Sequence, residues 1–119
     1  LKESLIEKAR EINGMKIVTM SGAYPAEVVK KIASMIHNEM NNTVFIAGCE
    51  SEGKATLTLM YTDDLTTKGY NAAKDIREAA PLISGGGGGQ NFLASAGGKN
   101  ITGLAAAIVK LTELATQQR

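Results

Sequence analysis

Apolar residues recur every three or four positions in four stretches of the chain, and this spacing predicts four helices. The stretches cover residues 1–12, 25–40, 65–80 and 101–115. In the second helix, the stripe expected to be buried consists of Val28, Val29, Ile32, Met35, Ile36 and Met40. Gly69 predicts an irregularity inside the third helix, and Pro81 marks the end of that helix. Asn100 is expected to cap the fourth.

Short runs of aliphatic and β-branched residues between these helices predict four strands. They cover residues 15–20, 43–49, 55–61 and 92–96. Five turn residues that include Gly53 separate the second run from the third, which predicts an antiparallel hairpin. The order β-α-β-β-α-β-α therefore predicts the α/β class: a small mixed β-sheet with helices packed against it.

The first predicted helix has no capping residue before it, because the chain opens with Leu1 already inside the helical pattern. Gly14 suits the left-handed cap position at the end of this helix. We therefore expect residues 1–13 to be the end of a helical segment that continues upstream in a longer protein. Residues 14–119 are expected to form the domain itself.

Composition and charge narrow the class of protein. The hydrophobic fraction of 44% and the charged fraction of 21% are those of a folded globular domain. The net charge is only +1, so a polyanionic partner would have to be met by a local patch rather than by the field of the whole domain. A single cysteine excludes an internal disulfide framework. With no signal peptide and no long apolar stretch, we expect a soluble cytoplasmic protein without a membrane partner.

Side chains that could carry catalysis or bind a metal are few. His37 is expected to be an exposed or partly packed helix residue, and Cys49 a small buried hydrophobe. Asp63 and Asp64 stand at the start of a helix, where carboxylates more often cap free N–H groups than bind a metal. One cysteine with one histidine cannot supply a structural zinc site, and no spacing of Ser, His and Asp indicates a triad. We expect no catalytic centre, metal or cofactor in these residues.

A run of five glycines at positions 85–89 lies between a predicted helix and a predicted strand, with Gly97 and Gly98 shortly after it. Without Cβ atoms, successive N–H groups of a loop can turn together toward a phosphate or a sugar. The Walker and dinucleotide-binding patterns both fail, because Asn100 follows Lys99 and no register supplies the required glycines. The sequence therefore favours a ligand-binding loop of a different type over a purely structural turn.

One stretch resembles the glycine-rich signature of the DHH-associated domain that ends alanyl-tRNA synthetases. It covers residues 85–99 and reads GGGGGQNFLASAGGK. The predicted hairpin at 44–61 and the Asp-Asp-Leu step at 63–65 are similar to the same family. The resemblance extends over about residues 14–116 and implies a fold like that of the DHH-associated domain.

The resemblance further implies a tRNA-binding C-terminal module of an enzyme that charges tRNA with alanine. Such a module would help to position tRNA(Ala), near its elbow, for aminoacylation and editing by upstream domains. Those domains would use ATP, Mg²⁺ and Zn²⁺, and the upstream helical segment would let the whole protein homodimerise. The residues implied to contact the nucleic acid are Gly85, Gly86, Gly87, Gly88, Gly89, Gln90, Asn91, Gly97, Gly98 and Lys99.

The chain departs from the family after the glycines. Bacterial members often carry Arg-Pro there and RecJ-type phosphoesterases carry His, whereas this chain has Gln90 and Asn91. An amide can hydrogen-bond a phosphate or a base edge but brings no charge. Two alternatives remain open: a domain that clamps single-stranded nucleic acid or nucleotides in a DHH phosphoesterase, and a structural or dimerisation module.

Overall fold

A six-stranded mixed β-sheet forms the centre of the domain, whose computed structural model describes residues 10–12 and 14–116. The strands are β1 (Arg10–Ile12), β2 (Met15–Ala23), β3 (Thr43–Ser51), β4 (Lys54–Tyr61), β5 (Gly85–Gly89) and β6 (Leu93–Gly98). The helices are α1 (Ala26–Glu39), α2 (Asp63–Thr67), α3 (Ala72–Ala79) and α4 (Leu104–Thr116), with short 3₁₀ helices at Ala80–Ile83 and Ile101–Gly103. The strand order across the sheet is β1-β2-β3-β4-β6-β5.

The central strands follow directly from the chain order. Helix α1 carries the chain back from β2 to β3, so these two strands run parallel, as expected for a β-α-β unit. Strands β3 and β4 form the predicted antiparallel hairpin, closed by a tight turn in which Glu52 and Gly53 both have positive φ. Strand β6 then pairs antiparallel with β4, and β5 pairs antiparallel with β6 at the edge. The predicted class and the mixed sheet are therefore confirmed.

Helices cover both faces of the sheet, and each face has its own apolar cluster. On one face, α3 and α4 pack over alternate residues of β4 and β6, among them Leu57, Leu59 and Ala96. On the other face, α1 packs over β3 and β4, where Phe45 and Met60 are fully buried. The alternation follows from the strand geometry, which points successive side chains to opposite faces.

Several predicted details hold and others are wrong. The third predicted helix is interrupted at Gly69, which has a φ of +107°, and it divides into α2 and α3. Met35 belongs to the stripe predicted to be buried but is 42% exposed, because the buried side of α1 is narrower and consists of Val29, Ile32, Ala33 and Ile36. Asn100 starts the 3₁₀ turn ahead of α4 without a side-chain hydrogen bond to a helix N–H group.

The start of the described chain also differs from the prediction. Residues 10–12, expected to end a helix, instead form β1, which pairs antiparallel with the beginning of β2. Gly14 has the expected positive φ of +79°, but it turns a hairpin rather than capping a helix. Pairing with the next strand, only three to seven residues away, overrides the helical spacing. The rest of that predicted helix lies outside the described residues, and the division at residue 13 stays a prediction.

Candidate nucleic-acid interface

The glycine run is an edge strand and not the predicted loop. Gly85–Gly89 pairs along its whole length with β6, and Gly86 lies opposite Gly97 in the register. Gln90, Asn91 and Phe92 form the connecting turn, in which the Gln90 N–H donates to the Leu93 carbonyl at 2.9 Å. An extended edge strand points alternate N–H groups outward along a line. Its N–H groups therefore do not turn together around one phosphate, as the loop prediction assumed.

Alternate glycines of β5 are required by the packing of the hairpin itself. A Cβ atom on Gly85 or Gly87 would overlap the backbone of β6, and one on Gly89 would lie 2.6 Å from the Leu93 carbonyl oxygen. Real Cβ atoms essentially never come that close to backbone atoms. Gly98 is similarly confined by the carbonyl of Ile83. These glycines allow the close approach of two backbones, so packing alone explains them.

The remaining glycines of the hairpin have no such explanation. A Cβ atom on Gly86 would have nothing within 4 Å, and one on Gly97 would touch only the Ala55 carbonyl oxygen, at 4.0 Å. A Cβ atom on Gly88 would make ordinary contacts with the Arg77 guanidinium, at 3.6 and 3.8 Å. None of these three residues has a positive φ. Neither sterics nor backbone conformation within the described domain requires glycine at these positions.

Helix α3 places a positive charge beside the glycine strand. Arg77 is an exposed residue of this helix, and its guanidinium lies against Gly88. The helix is fixed on its sheet-facing side by Asp75, which is buried and accepts a hydrogen bond from the Tyr61 hydroxyl at 2.5 Å. Its N-terminus is held by the Asn91 carbonyl, which accepts from the Ala72 N–H at 2.7 Å. The guanidinium thus sits on a rigid support next to an exposed sheet edge.

The polar members of the predicted site lie at opposite ends of the hairpin. Lys99 follows β6 at one end, and Gln90 and Asn91 form the turn at the other. Gln90 is six positions from Ser84, the residue opposite Lys99, which corresponds to roughly 20 Å of extended strand. All three side chains are exposed. The structure therefore brings the seven predicted glycines together but spreads the polar residues along the edge.

His37 belongs to a small cluster beside the hairpin turn. Its ring packs against the ring of Phe92, with the centroids 4.7 Å apart, and its Nε2 lies 2.8 Å from Asp63 Oδ1. The His37 side chain is 19% exposed, which confirms the expected partly packed helix residue. Phe92 is half-buried, and its ring is engaged in this contact with His37. The cluster ties the end of α1 to the start of α2 and to the turn.

The expectation that Asp63 and Asp64 cap free N–H groups of α2 is met only by Asp64, whose carboxylate accepts from its own N–H in the first turn of the helix. Thr62 is the N-terminal capping position and makes no side-chain cap bond, while Asp63 bonds His37. Asp64 Oδ1 accepts from the Asn42 N–H at 3.1 Å and from the Thr62 hydroxyl at 2.7 Å. Burial raises the pKa of Asp64, but these hydrogen bonds, that of its own N–H and the charge of Lys68 outweigh it, so the pKa falls below 3.8. The carboxylate therefore joins the starts of β3 and α2.

Cys49 is buried in β3, as predicted, and burial raises the pKa of its thiol to about 11. A thiol that stays protonated is a poor nucleophile. Over residues 10–12 and 14–116, no three His, Cys, Asp or Glu side chains are grouped so that they could hold a metal ion. Within the same ranges, no helix is long and apolar enough to cross a membrane.

Comparison with known proteins identifies the family. The DHHA1 domain family matches residues 10–117, and the chain belongs to it. The alanine–tRNA ligase of Bacteroides thetaiotaomicron is 48% identical over 116 residues, which are 97% of this chain and 13% of the relative. That of Myxococcus xanthus is 36% identical over 94% of this chain and again 13% of the relative. The chain thus spans about an eighth of these curated relatives, and the resemblance to the alanyl-tRNA synthetase family is confirmed.

Two solved structures share the fold. The C-Ala domain of Aquifex aeolicus alanyl-tRNA synthetase superposes with a TM-score of 0.81 at 21% identity, covering 92% of this chain and 98% of that domain. A DHH-domain protein described as a member of the s1p family of ribosomal proteins superposes with a TM-score of 0.65 at 11% identity. The latter match covers 98% of this chain and 30% of the other. The predicted DHH-associated fold is therefore confirmed.

Proposed function

We propose that this domain is the tRNA-binding C-terminal module of a cytoplasmic alanine–tRNA ligase. It holds tRNA(Ala) for aminoacylation and editing in upstream domains, which would supply the sites for ATP, Mg²⁺ and Zn²⁺. Upstream helical sequence would provide the dimer contact of the whole protein. The support is the identity to alanine–tRNA ligases over almost the whole chain, together with the form of the glycine hairpin.

One observation carries the choice of the glycine hairpin as the contact. At Gly86, Gly88 and Gly97 a Cβ atom would meet open space or ordinary contacts only, so nothing inside the described domain requires glycine there. Bare backbone at an exposed sheet edge allows a ligand to approach the N–H groups closely. Arg77 lies against Gly88, and Lys99 ends the neighbouring strand, so positive charge flanks the bare edge. A ribose–phosphate backbone matches this combination of N–H donors and cations.

The test separates ligand approach from folding. Gly86→Val should fold, because the site is open and extended and a β-branched residue suits a strand. It should weaken binding of a tRNA(Ala) transcript at least tenfold in filter binding, because the branched side chain covers the edge. Arg77→Ala and Lys99→Ala should each weaken binding and flatten the slope of log affinity against log salt by roughly one unit.

The matched control is Ser21→Val, which places the same side chain at an exposed position of β2. Strands β2 and β5 lie near opposite ends of the strand order. It should bind tRNA like the unsubstituted chain. Thermal melting of every variant checks that the fold is intact. Normal tRNA binding by a folded Gly86→Val variant would reject the glycine edge as the contact, and no tRNA binding by the unsubstituted chain would reject the function.

A further inference from the structure

One part of the α1 face of the sheet is not covered by that helix. Alternation places Lys54 and Thr56 of β4 on this face, in line with the buried Met60, and Ser95 and Gly97 of β6 beside them. Lys54 and Gly97 are exposed, and Thr56 and Ser95 are half-buried. Helix α1 packs against β3 and β4 and leaves this end of β4 and β6 open. We call the four residues the open sheet face.

Lysines border the open sheet face on two sides. Lys54 starts β4, and in the strand register it lies next to Lys99, because their neighbours Ala55 and Gly98 are paired. Lys30 borders the side nearest α1. It lies two helical turns before His37, whose ring contacts Phe92 at the start of β6, so both residues are on the side of the helix that faces β6. Lys30 lies seven residues from His37, which is about 10 Å along the helix, and Ser95 lies three residues from Phe92, which is about 10 Å along the strand. Lys30 is therefore level with Ser95.

These lysines have no internal counter-charge in the part of the chain that the structure describes. The acidic residues nearest in sequence to Lys30, Lys54 and Lys99 are Glu27, Glu52 and Glu113, and none of them forms an ion pair with these lysines. The Thr56 hydroxyl donates to the Cys49 carbonyl at 3.2 Å, whereas the Ser95 hydroxyl has no partner among the described residues. A flat polar floor bordered by three unpaired cations complements a polyanion.

We propose that the open sheet face seats the ribose–phosphate backbone of a folded RNA and reads no bases. Small side chains on the floor let the backbone lie close, with Ser95 as a hydroxyl donor and Lys30, Lys54 and Lys99 facing phosphates. Recognition of bases by proteins uses aromatic stacking or bidentate amide and guanidinium groups, and the open sheet face has none of these. Since the glycine edge adjoins this face through Gly97, the inference rests on the proposed function and extends its contact surface.

The experiment compares two double substitutions that remove equal charge. Lys30→Ala with Lys54→Ala strips the border of the open sheet face. Lys16→Ala with Lys31→Ala strips two exposed lysines elsewhere, since Lys31 lies about 100° around α1 from Lys30 and Lys16 is near the start of β2. Fluorescence anisotropy across a salt series uses two transcripts, tRNA(Ala) and a tRNA of different identity.

The first pair should weaken binding of both transcripts about tenfold or more and lower the salt slope by roughly one to two units. The control pair should change the affinity less than twofold, and the unsubstituted chain should bind the two transcripts within about threefold of each other. Equal effects of the two pairs would overturn the inference. If the two pairs had equal effects but Gly86→Val still abolished tRNA binding, the proposed function would be supported and only the open sheet face would be rejected. A tenfold preference for tRNA(Ala) would contradict the proposal that the face reads no bases. If neither transcript bound, both this inference and the proposed function would be rejected.

Discussion

Two antiparallel hairpins of the same sheet are built in opposite ways. The β3–β4 hairpin at the centre buries large side chains on both faces, including Phe45, Leu57 and Met60, all fully buried. The β5–β6 hairpin at the edge contains seven glycines, two alanines, one serine and one leucine in its strands. The first is therefore held by apolar burial, and the second by backbone pairing and by the helices that support it.

The two hairpins therefore differ in how much they stabilise the domain and in how accessible their backbone is. The central hairpin has no unpaired edge, because each of its strands is flanked by another strand, and helices cover most of its two faces. A hairpin made of glycine at the edge keeps its backbone accessible but contributes little apolar burial of its own. The domain thus gains its stability at the centre, while the backbone of the edge strand stays accessible.

The largest effect should come from emptying the central hairpin. Leu57→Ala removes a fully buried side chain from β4 and should lower the free energy of unfolding by about 2–5 kcal/mol. The same change at Leu93, a half-buried residue of β6, should cost less than half as much. Urea unfolding followed by circular dichroism measures both. Equal losses would show that the edge hairpin carries as much of the stability as the centre.

A smaller effect should distinguish neighbouring glycines within β5. Gly87→Ala forces a Cβ into the backbone of β6 and should cost about 1–3 kcal/mol, the usual range for overpacking. Gly86→Ala meets open space and should change stability by about 0.5 kcal/mol or less. Thermal melting of the two variants gives the comparison. If the two melt alike, the division of the glycines into required and spare positions is wrong.

The same contrast explains what the sequence could predict about the fold. Strands that carry side chains were predicted closely: residues 43–49 and 55–61 correspond to Thr43–Ser51 and Lys54–Tyr61. Gly85–Gly89 was predicted as a loop, because glycine has low strand propensity and no side-chain alternation to detect. Its strand conformation depends on pairing with β6 and on support from α3, which no local pattern encodes. The short strand β1 escaped prediction for a different reason, since its residues continue the helical spacing of the apolar positions before it.

The candidate site was predictable only in part. The glycines were found because the run is unusual in composition, and the family resemblance supplied Gln90, Asn91 and Lys99. Arg77 could not be connected with Gly88, since it belongs to a predicted helix and reaches the edge only through the packing of α3. Lys30 and Lys54 are 24 positions apart in the sequence and meet around the open sheet face only when α1 lies on the sheet. Their role in binding stays a prediction.

The smallest effect concerns the polar contacts at the end of the central hairpin that lies away from its turn, where Asp64 joins the starts of β3 and α2. Asp64→Ala removes the acceptor of the Asn42 N–H and of the Thr62 hydroxyl. The loss should be about 1 kcal/mol at pH 7, the usual worth of such hydrogen bonds, and no more, because the carboxylate is only partly shielded from solvent. Urea unfolding at a series of pH values measures it.

The pKa of Asp64 determines how its contribution to the free energy of unfolding changes with pH. The pKa of Asp64 is lower in the folded chain than its ordinary value of 3.8, so the unfolded chain takes up the proton first as the pH falls. The contribution of Asp64 is therefore fully present well above pH 3.8 and is lost progressively below it. The difference between the unsubstituted chain and Asp64→Ala should narrow there, while Asp64→Asn, which keeps an acceptor oxygen without the charge, should lie between the two at pH 7. A difference that stayed constant down to about pH 2.5 would mean that the charge of Asp64 does not strengthen these contacts.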